Sequence, residues 1–227
     1  VEKNKMGGDC LNTGCVPSKA LIRSAKLAAD IQRSASLGFK PMTSIFDFSD
    51  VMDRVQRVIT EIEPHDSVER YESLGVDVEL GSAKIISPWE VEVNGKILTT
   101  RSIIIATGAK PFVPPVSGID AVSYLTSDTI WELREQPKRL AVLGGGPIGT
   151  ELTQTFARLG SAVTQVEMLP RIMTREDPEV SAMVVSSLEA DGVNVLAGHA
   201  AEAIEEQGGE QILVCRSEQG EQVRVPF

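Results

Sequence analysis

Cysteine is scarce in this chain, with three among 227 residues. That is too few for a disulfide scaffold, and in a reducing compartment a close cysteine pair is more often catalytic or metal-binding than structural. No stretch approaches the ~18 to 20 apolar residues that a membrane-spanning helix needs, and no signal peptide opens the chain. Positive charge is in deficit, leaving a formal net charge of -10 at pH 7. Such a surface repels nucleic acid and anionic membranes, which excludes both as expected partners. Together these absences point to a cytoplasmic protein. An initiator methionine is also lacking: "VEKNKMGG" reads as the tail of a strand ending in Glu2, followed by a loop, so a preceding segment is expected. What is present suits an α/β protein, with 42% hydrophobic residues and 19 glycines, enough for one large domain or two modest ones.

Two of the three cysteines stand five residues apart in "GGDCLNTGCVPSK", Gly7 to Lys19. From Val16 the pattern turns helical, with Ala20, Leu21, Leu27, Ala28 and Ile31 on one side and Pro17 suited to the first helical position. Cys15 is thereby placed at a helix N-terminus, where a thiolate is stabilised, and Lys19 one turn later adds positive charge. A zinc site wants four soft ligands, and only distant Cys215, His65 and His199 could complete one. Two inert buried thiols are the plainer alternative, but the surrounding glycines, Asn12 and Thr13 describe a polar turn rather than a core. A redox pair accounts for more of the loop.

Further on, a helix is expected after Ser49 and Asp50, ending near Pro64. Val76–Leu80, Val91–Val93 and Ile97–Thr99 alternate as strands, the last two joined by Asn94-Gly95. "SIIIATGAKP" reads as a buried apolar strand, Ile103 to Ile105, running into a turn at Thr107-Gly108. The proline-rich "KPFVPPVSG" reads as a linker, dividing the chain into residues 1–119 and 120–227. Beyond it, Leu140–Leu143 form a strand, and Gly144, Gly146 and Gly149 spell G-x-G-x-x-G. Pro147 then opens a helix that Gly160 ends, and Ala162–Val166 form a second strand closed by Glu167. That sequence of parts is a dinucleotide fingerprint: the glycines permit a tight turn, close approach of a pyrophosphate and close packing of helix on strand. Glu167 favours NAD over NADP, because a carboxylate accepts from a free ribose and repels a 2′-phosphate, whereas nearby Arg171 could hold that phosphate. His65 fits a solvated helix end and His199 a loop, and Cys215 in "QILVCRS" fits a small core residue of a strand.

A strand ending in an acid, the "GGDCLNTGCVPSK" loop, "ATGAKP" and the later fingerprint, in that order over nearly the whole chain, resemble the class I pyridine-nucleotide disulfide oxidoreductases. The loop wording and Glu167 stand nearer to dihydrolipoamide dehydrogenase and mercuric reductase than to glutathione reductase. The resemblance implies two Rossmann-like nucleotide-binding domains in a three-layer arrangement, the first an FAD domain incomplete at its N-terminus and the second an NAD domain. It implies electron flow between NAD(P)H, FAD and the Cys10–Cys15 pair, with Cys10 as the interchange thiol and Cys15 against the flavin. Lys19 matches a lysine beside the flavin, paired with Glu151. Gly8, Thr107 and Gly108 match residues against the flavin, and Glu2 matches the acid on its adenosine ribose. The implied substrate is a small-molecule or lipoyl disulfide or dithiol, or a metal ion, and the implied complete protein is a homodimer.

Departures from the family pattern are Asp9, where threonine is usual beside the flavin phosphates, and Pro147, which replaces a tyrosine. The resemblance also places outside this chain a first strand, helix and flavin pyrophosphate turn of about 30 residues together, a second flavin segment and a dimerisation domain with its His–Glu pair. A non-catalytic nucleotide-binding chain is therefore the alternative to a redox enzyme. A dehydrogenase using NAD alone leaves the cysteine loop unexplained.

Overall fold

In the computed structural model, which describes all of Val1–Phe227, the chain opens with a short helix α1 (Gly8–Asn12) and a long one, α2 (Cys15–Gln32). Pro17 is the third helical residue rather than the first, still inside the turn whose N–H groups lack helical partners. The buried stripe of α2 is Ala20, Leu21, Ala25, Ala28 and Ala29, and Leu27, expected within it, is 52% exposed. The difference follows from what α2 packs against: its alanines permit close approach to another helix, and the stripe is centred on them. Helix α3 (Phe48–Ile62) begins at Phe48 because Asp47, one residue outside, caps it by accepting from the Ser49 N–H at 2.9 Å. Helix α4 (Val68–Ser73) is capped in the same way by Ser67.

Three short strands follow, β1 (Ala83–Ser87), β2 (Glu90–Val93) and β3 (Lys96–Thr99), paired in antiparallel order. The β2–β3 turn holds Asn94 at φ 50 and Gly95 at φ 77, the left-handed pair that a two-residue hairpin of this type requires. Two expected strands do not form. Val76–Leu80 contributes only a bridge between Leu80 and Glu2. Ile103–Ile105 is extended but unpaired, with Ile104 90% and Ile105 71% exposed. An apolar run becomes a buried strand only where neighbouring strands take up its backbone groups, and no strand of this chain lies beside it.

The remainder is built on a parallel sheet of β4 (Arg139–Leu143), β5 (Ala162–Glu167) and β6 (Asn194–Ala197), in that order. Helix α5 (Pro147–Leu159) connects the first two strands and α6 (Pro178–Ala190) the last two. An antiparallel meander, β7 (His199–Gln207), β8 (Glu210–Ser217) and β9 (Gln222–Pro226), completes the chain. His199 opens β7 instead of lying in a loop, since its main chain pairs with Ser217.

Strand alternation sorts the parallel sheet into two faces. Leu140, Val142 and Val163 face the helices, where they join Leu21, Met52, Val55, Trp131, Phe156 and Leu159 in the largest core. Ala141, Leu143 and Val166 face the meander and pack with Leu213, Cys215 and Val225. The result is three layers, helices over a parallel sheet over an antiparallel sheet. The largest core draws on α2 and α3 as well as on α5 and β5. Burying such side chains completely contributes about 1.5–3 kcal/mol each, so the cysteine-bearing helix is firmly seated. No helix is long and apolar enough to cross a membrane.

Candidate functional site

The turn between the two cysteines is shaped by close contacts. A β-carbon on Gly14 would stand 2.8 Å from the Asp9 carbonyl oxygen, so only glycine lets the chain double back from Cys10 to Cys15. Asn12 donates its side-chain amide to the Met6 and Gly8 carbonyls at 3.0 and 2.9 Å, and Leu11 is buried beneath. Trp131, from the far half of the sequence, donates its indole N–H to the Thr13 carbonyl at 2.9 Å. Local wording announces Gly14 and Asn12; Trp131 carried no such signal, because its partner is 118 residues away.

Cys10 and Cys15 are both exposed free thiols. Cys10 is held above the ordinary cysteine range chiefly by a hydrogen bond with the Cys15 side chain, with smaller contributions from burial and from the charge of Cys15 and Asp66. The Cys15 backbone N–H, at the start of α2, pulls the other way. The free N–H of the helix terminus thus acts on Cys10. An open cleft of about 460 Å³ beside Cys10 is lined by Glu2, Met6, Gly7, Asp66 and Tyr71. Cys215 is fully buried in β8, where burial pushes its thiol up to about 11, leaving it inert beside the exposed pair.

Lys19, one turn into α2, donates to both carboxylate oxygens of Glu151 on α5, at 2.8 and 2.6 Å. At the far end of α2, Arg33 pairs with Asp191. The Asp191 side chain is only 4% exposed and also accepts from Arg158 and Gln154, each at 2.8 Å. Both ends of the cysteine helix are therefore tied to the elements around the parallel sheet. Thr107 and Gly108 are exposed, and a β-carbon on Gly108 would stand 3.4 Å from an Asp9 carboxylate oxygen, so the "ATG" turn lies against the cysteine loop. Gly8 opens α1, adjoining that acid. Glu2 accepts from the Asn4 N–H at 2.7 Å through one oxygen, and its other oxygen has no protein partner.

The second centre lies at the carboxyl end of β4. Gly144 donates its N–H to the Val166 carbonyl at 2.8 Å, and the Gly145 N–H donates to Glu167 at 2.6 Å. A β-carbon on Gly149 would stand 2.5 Å from the Gly144 carbonyl oxygen, which makes the third glycine of the fingerprint a steric necessity. Gly146 is the N-cap of α5, has no side-chain cap, and a β-carbon there would meet nothing within 4 Å. Open space therefore faces an uncapped helix start, the arrangement that receives a phosphate.

The fingerprint does not mark Gly145, yet a β-carbon on it would come within 2.7 Å of Ile172. Residues 168–176 fold back over this turn, with Met173 donating its N–H to the Gly145 carbonyl at 2.7 Å. Arg171 spends its guanidinium on the carbonyls of Met173, Thr174 and Glu176 within that same segment.

Two exposed thiols on either side of a glycine turn, the second opening a helix tied to a parallel sheet, are the parts of a thiol–disulfide oxidoreductase class. The sequence model of that class, the pyridine nucleotide-disulphide oxidoreductases, matches residues 1–226, and the chain belongs to this family. A mercuric reductase of Staphylococcus aureus is 35% identical over 208 residues, covering 92% of this chain and 38% of that protein. A dihydrolipoyl dehydrogenase of Acholeplasma laidlawii is 34% identical over 201 residues, covering 86% of this chain and 60% of that protein. Among solved structures, the Cu(II) complex of the HOCl-induced flavoprotein disulfide reductase RclA from Escherichia coli superposes with a TM-score of 0.77 at 27% identity. The match covers 99% of this chain and 48% of that one, so the chain spans about half the length of the reductase it resembles.

Proposed function

We propose that this chain carries the thiol pair and the nucleotide site of a flavin-dependent disulfide oxidoreductase, resembling dihydrolipoamide dehydrogenase or mercuric reductase. Residues 1–119 form a partial FAD-binding domain and residues 120–227 the NAD(P)-binding one. The observation that carries this reading is the mechanical link: Lys19 on the cysteine helix is paired with Glu151 on the helix that starts at the glycine turn. Reduced nicotinamide nucleotide is the electron source. Gly144, Gly146 and Gly149 admit its pyrophosphate, and Glu167 accepts from the adenosine ribose. NAD is favoured over NADP, because Arg171 is committed to three backbone carbonyls and is not free to receive a 2′-phosphate.

A bound FAD would supply the two-electron relay between nicotinamide and cysteines. Gly8, Thr107 and Gly108 would lie against it, and Glu2 keeps one carboxylate oxygen open for its ribose. The chemistry assigned to this chain is thiol exchange. Cys10, as thiolate, attacks a substrate disulfide, forming a mixed disulfide and releasing one substrate thiolate, which takes up a proton. Cys15, as thiolate, then attacks the Cys10 sulfur, closing the Cys10–Cys15 disulfide and releasing the second substrate thiolate. Two electrons leave the dithiol, and the substrate gains them with two protons. A lipoyl or small-molecule disulfide fits this exchange, and two adjacent thiolates also suit a soft metal ion. The complete protein is a homodimer in this reading. The test is NADH-dependent reduction of a disulfide dye with FAD added: activity lost in both Cys10→Ser and Cys15→Ser supports the reading, and activity retained in either contradicts it.

A second reading, a nucleotide-binding chain without turnover of its own, is favoured by the unpaired run at Ile103–Ile105. The purified chain then binds NADH but shows no stoichiometric flavin band in its visible spectrum.

A further inference from the structure

Gln165 is an unusual residue for its place. It sits on β5 two positions before Glu167, facing α5, and is 0% exposed. Its side-chain nitrogen donates to the Gly144 carbonyl at 3.0 Å and to the Thr150 hydroxyl at 3.1 Å, while its side-chain oxygen has no partner. A buried amide with an unsatisfied acceptor is a cost that an aliphatic side chain would avoid. Packing therefore gives no reason for a glutamine here, and its bond to the glycine turn does.

The Gly144 carbonyl and the Gly145 N–H are the two polar groups of one planar peptide unit. Gln165 holds the first and Glu167 the second, at 2.6 Å. Glycine on both sides makes this unit free to rotate when unrestrained, since Gly144 already sits at φ +113 and glycine populates several basins. With both ends held from one face of β5, rotation would break both bonds at once, leaving the Gln165 amide only the Thr150 hydroxyl and the Glu167 carboxylate only the Leu169 N–H. Resting on the dinucleotide reading above, we infer that Gln165 is a positioning residue for the coenzyme pyrophosphate: with Glu167 it clamps the Gly144–Gly145 peptide in the orientation that leaves the α5 N-terminus open.

The test is Gln165→Met, which keeps side-chain length and removes the donor. NADH affinity, read by fluorescence titration, is expected to fall about tenfold, the loss of roughly one hydrogen bond. Adenosine, which carries the ribose but no phosphate, is expected to bind as it does to the wild type. Unchanged NADH affinity in Gln165→Met, or an equal loss for adenosine, overturns the clamp while leaving the dinucleotide reading in place. A wild-type chain that does not bind NADH overturns the dinucleotide reading itself. Should Gln165→Met not fold, Gln165→Val takes its place, since it also lacks the donor and suits the interior of a strand. A loss of about tenfold for NADH with adenosine binding kept supports the clamp, and wild-type NADH affinity overturns it.

Discussion

The two ends of the candidate electron path differ in how completely this chain builds them. At the glycine turn the N–H and carbonyl of both Gly144 and Gly145 are taken up, by Val166, Gln165 and Glu167 of β5 and by Met173. Around the cysteine loop, the apolar run Ile103–Ile105 lies extended with no strand beside it, and Thr107 and Gly108 stand exposed. A turn closed by residues within about thirty positions of one another assembles from local geometry, whereas a sheet strand depends on partners elsewhere. Helix α2 connects the two regions, and it is there that the comparison can be broken.

The largest expected effect is at Asp191. Its carboxylate is buried and joins Arg33 on α2 to Arg158 and Gln154 on α5. Asp191→Asn leaves two arginines without their counter-charge, and stability measured by urea unfolding is expected to fall by about 3 kcal/mol. If the midpoint does not move, the two regions are not held together through this knot. Next is Gly149→Ala, whose β-carbon meets a backbone oxygen that cannot easily yield. NADH affinity is expected to drop on the order of tenfold or more, because helix and strand can no longer approach. Gly108→Ala strains the backbone at φ +68 but does so beside Asp9, away from the glycine turn, and is expected to leave NADH binding unchanged. Equal losses in the two variants would erase the contrast between the regions.

A smaller effect concerns Cys10. Because the Cys15 side chain keeps its thiol protonated, alkylation of Cys10 by iodoacetamide is expected to rise only as pH passes above the ordinary cysteine range. Removing that bond in Cys15→Ala lowers the Cys10 pKa, so the profile moves to lower pH and alkylation at a fixed mildly alkaline pH becomes faster. An unmoved profile would mean that the two side chains do not interact. The smallest effect is Lys19→Met. The Lys19–Glu151 pair is 58% and 43% exposed, so its loss is expected to change stability by less than about 1 kcal/mol.

Much of this was legible in the residues, and the failures share one cause. The strand–turn–helix–strand unit around Gly144 is legible because its glycines, its acid and its flanking strands obey fixed short spacings. The Asn94-Gly95 hairpin was legible for the same reason, since backbone conformation there is dictated by two adjacent residues. Ile103–Ile105 departs from its pattern because hydrophobicity announces burial without saying against what. Periodicity puts Leu27 in the stripe, whereas the choice of buried face belongs to the partner helix, and nothing local marks Trp131, whose target is remote in sequence. Gln165 could have been found: period-two alternation puts it on the same face as Glu167, and a glutamine amid the apolar positions of a central strand calls for a partner.

The proposed thiol exchange depends on Cys10 and Cys15 interconverting between dithiol and disulfide while Cys215 stays apart. Mild oxidation with diamide, followed by alkylation, digestion and peptide mass mapping, tests it directly. The account expects one peptide containing both Cys10 and Cys15, lighter by two hydrogens and unalkylated, with Cys215 recovered as a free thiol after unfolding. Cys10 and Cys15 each recovered alkylated, or either one joined to Cys215, would contradict it.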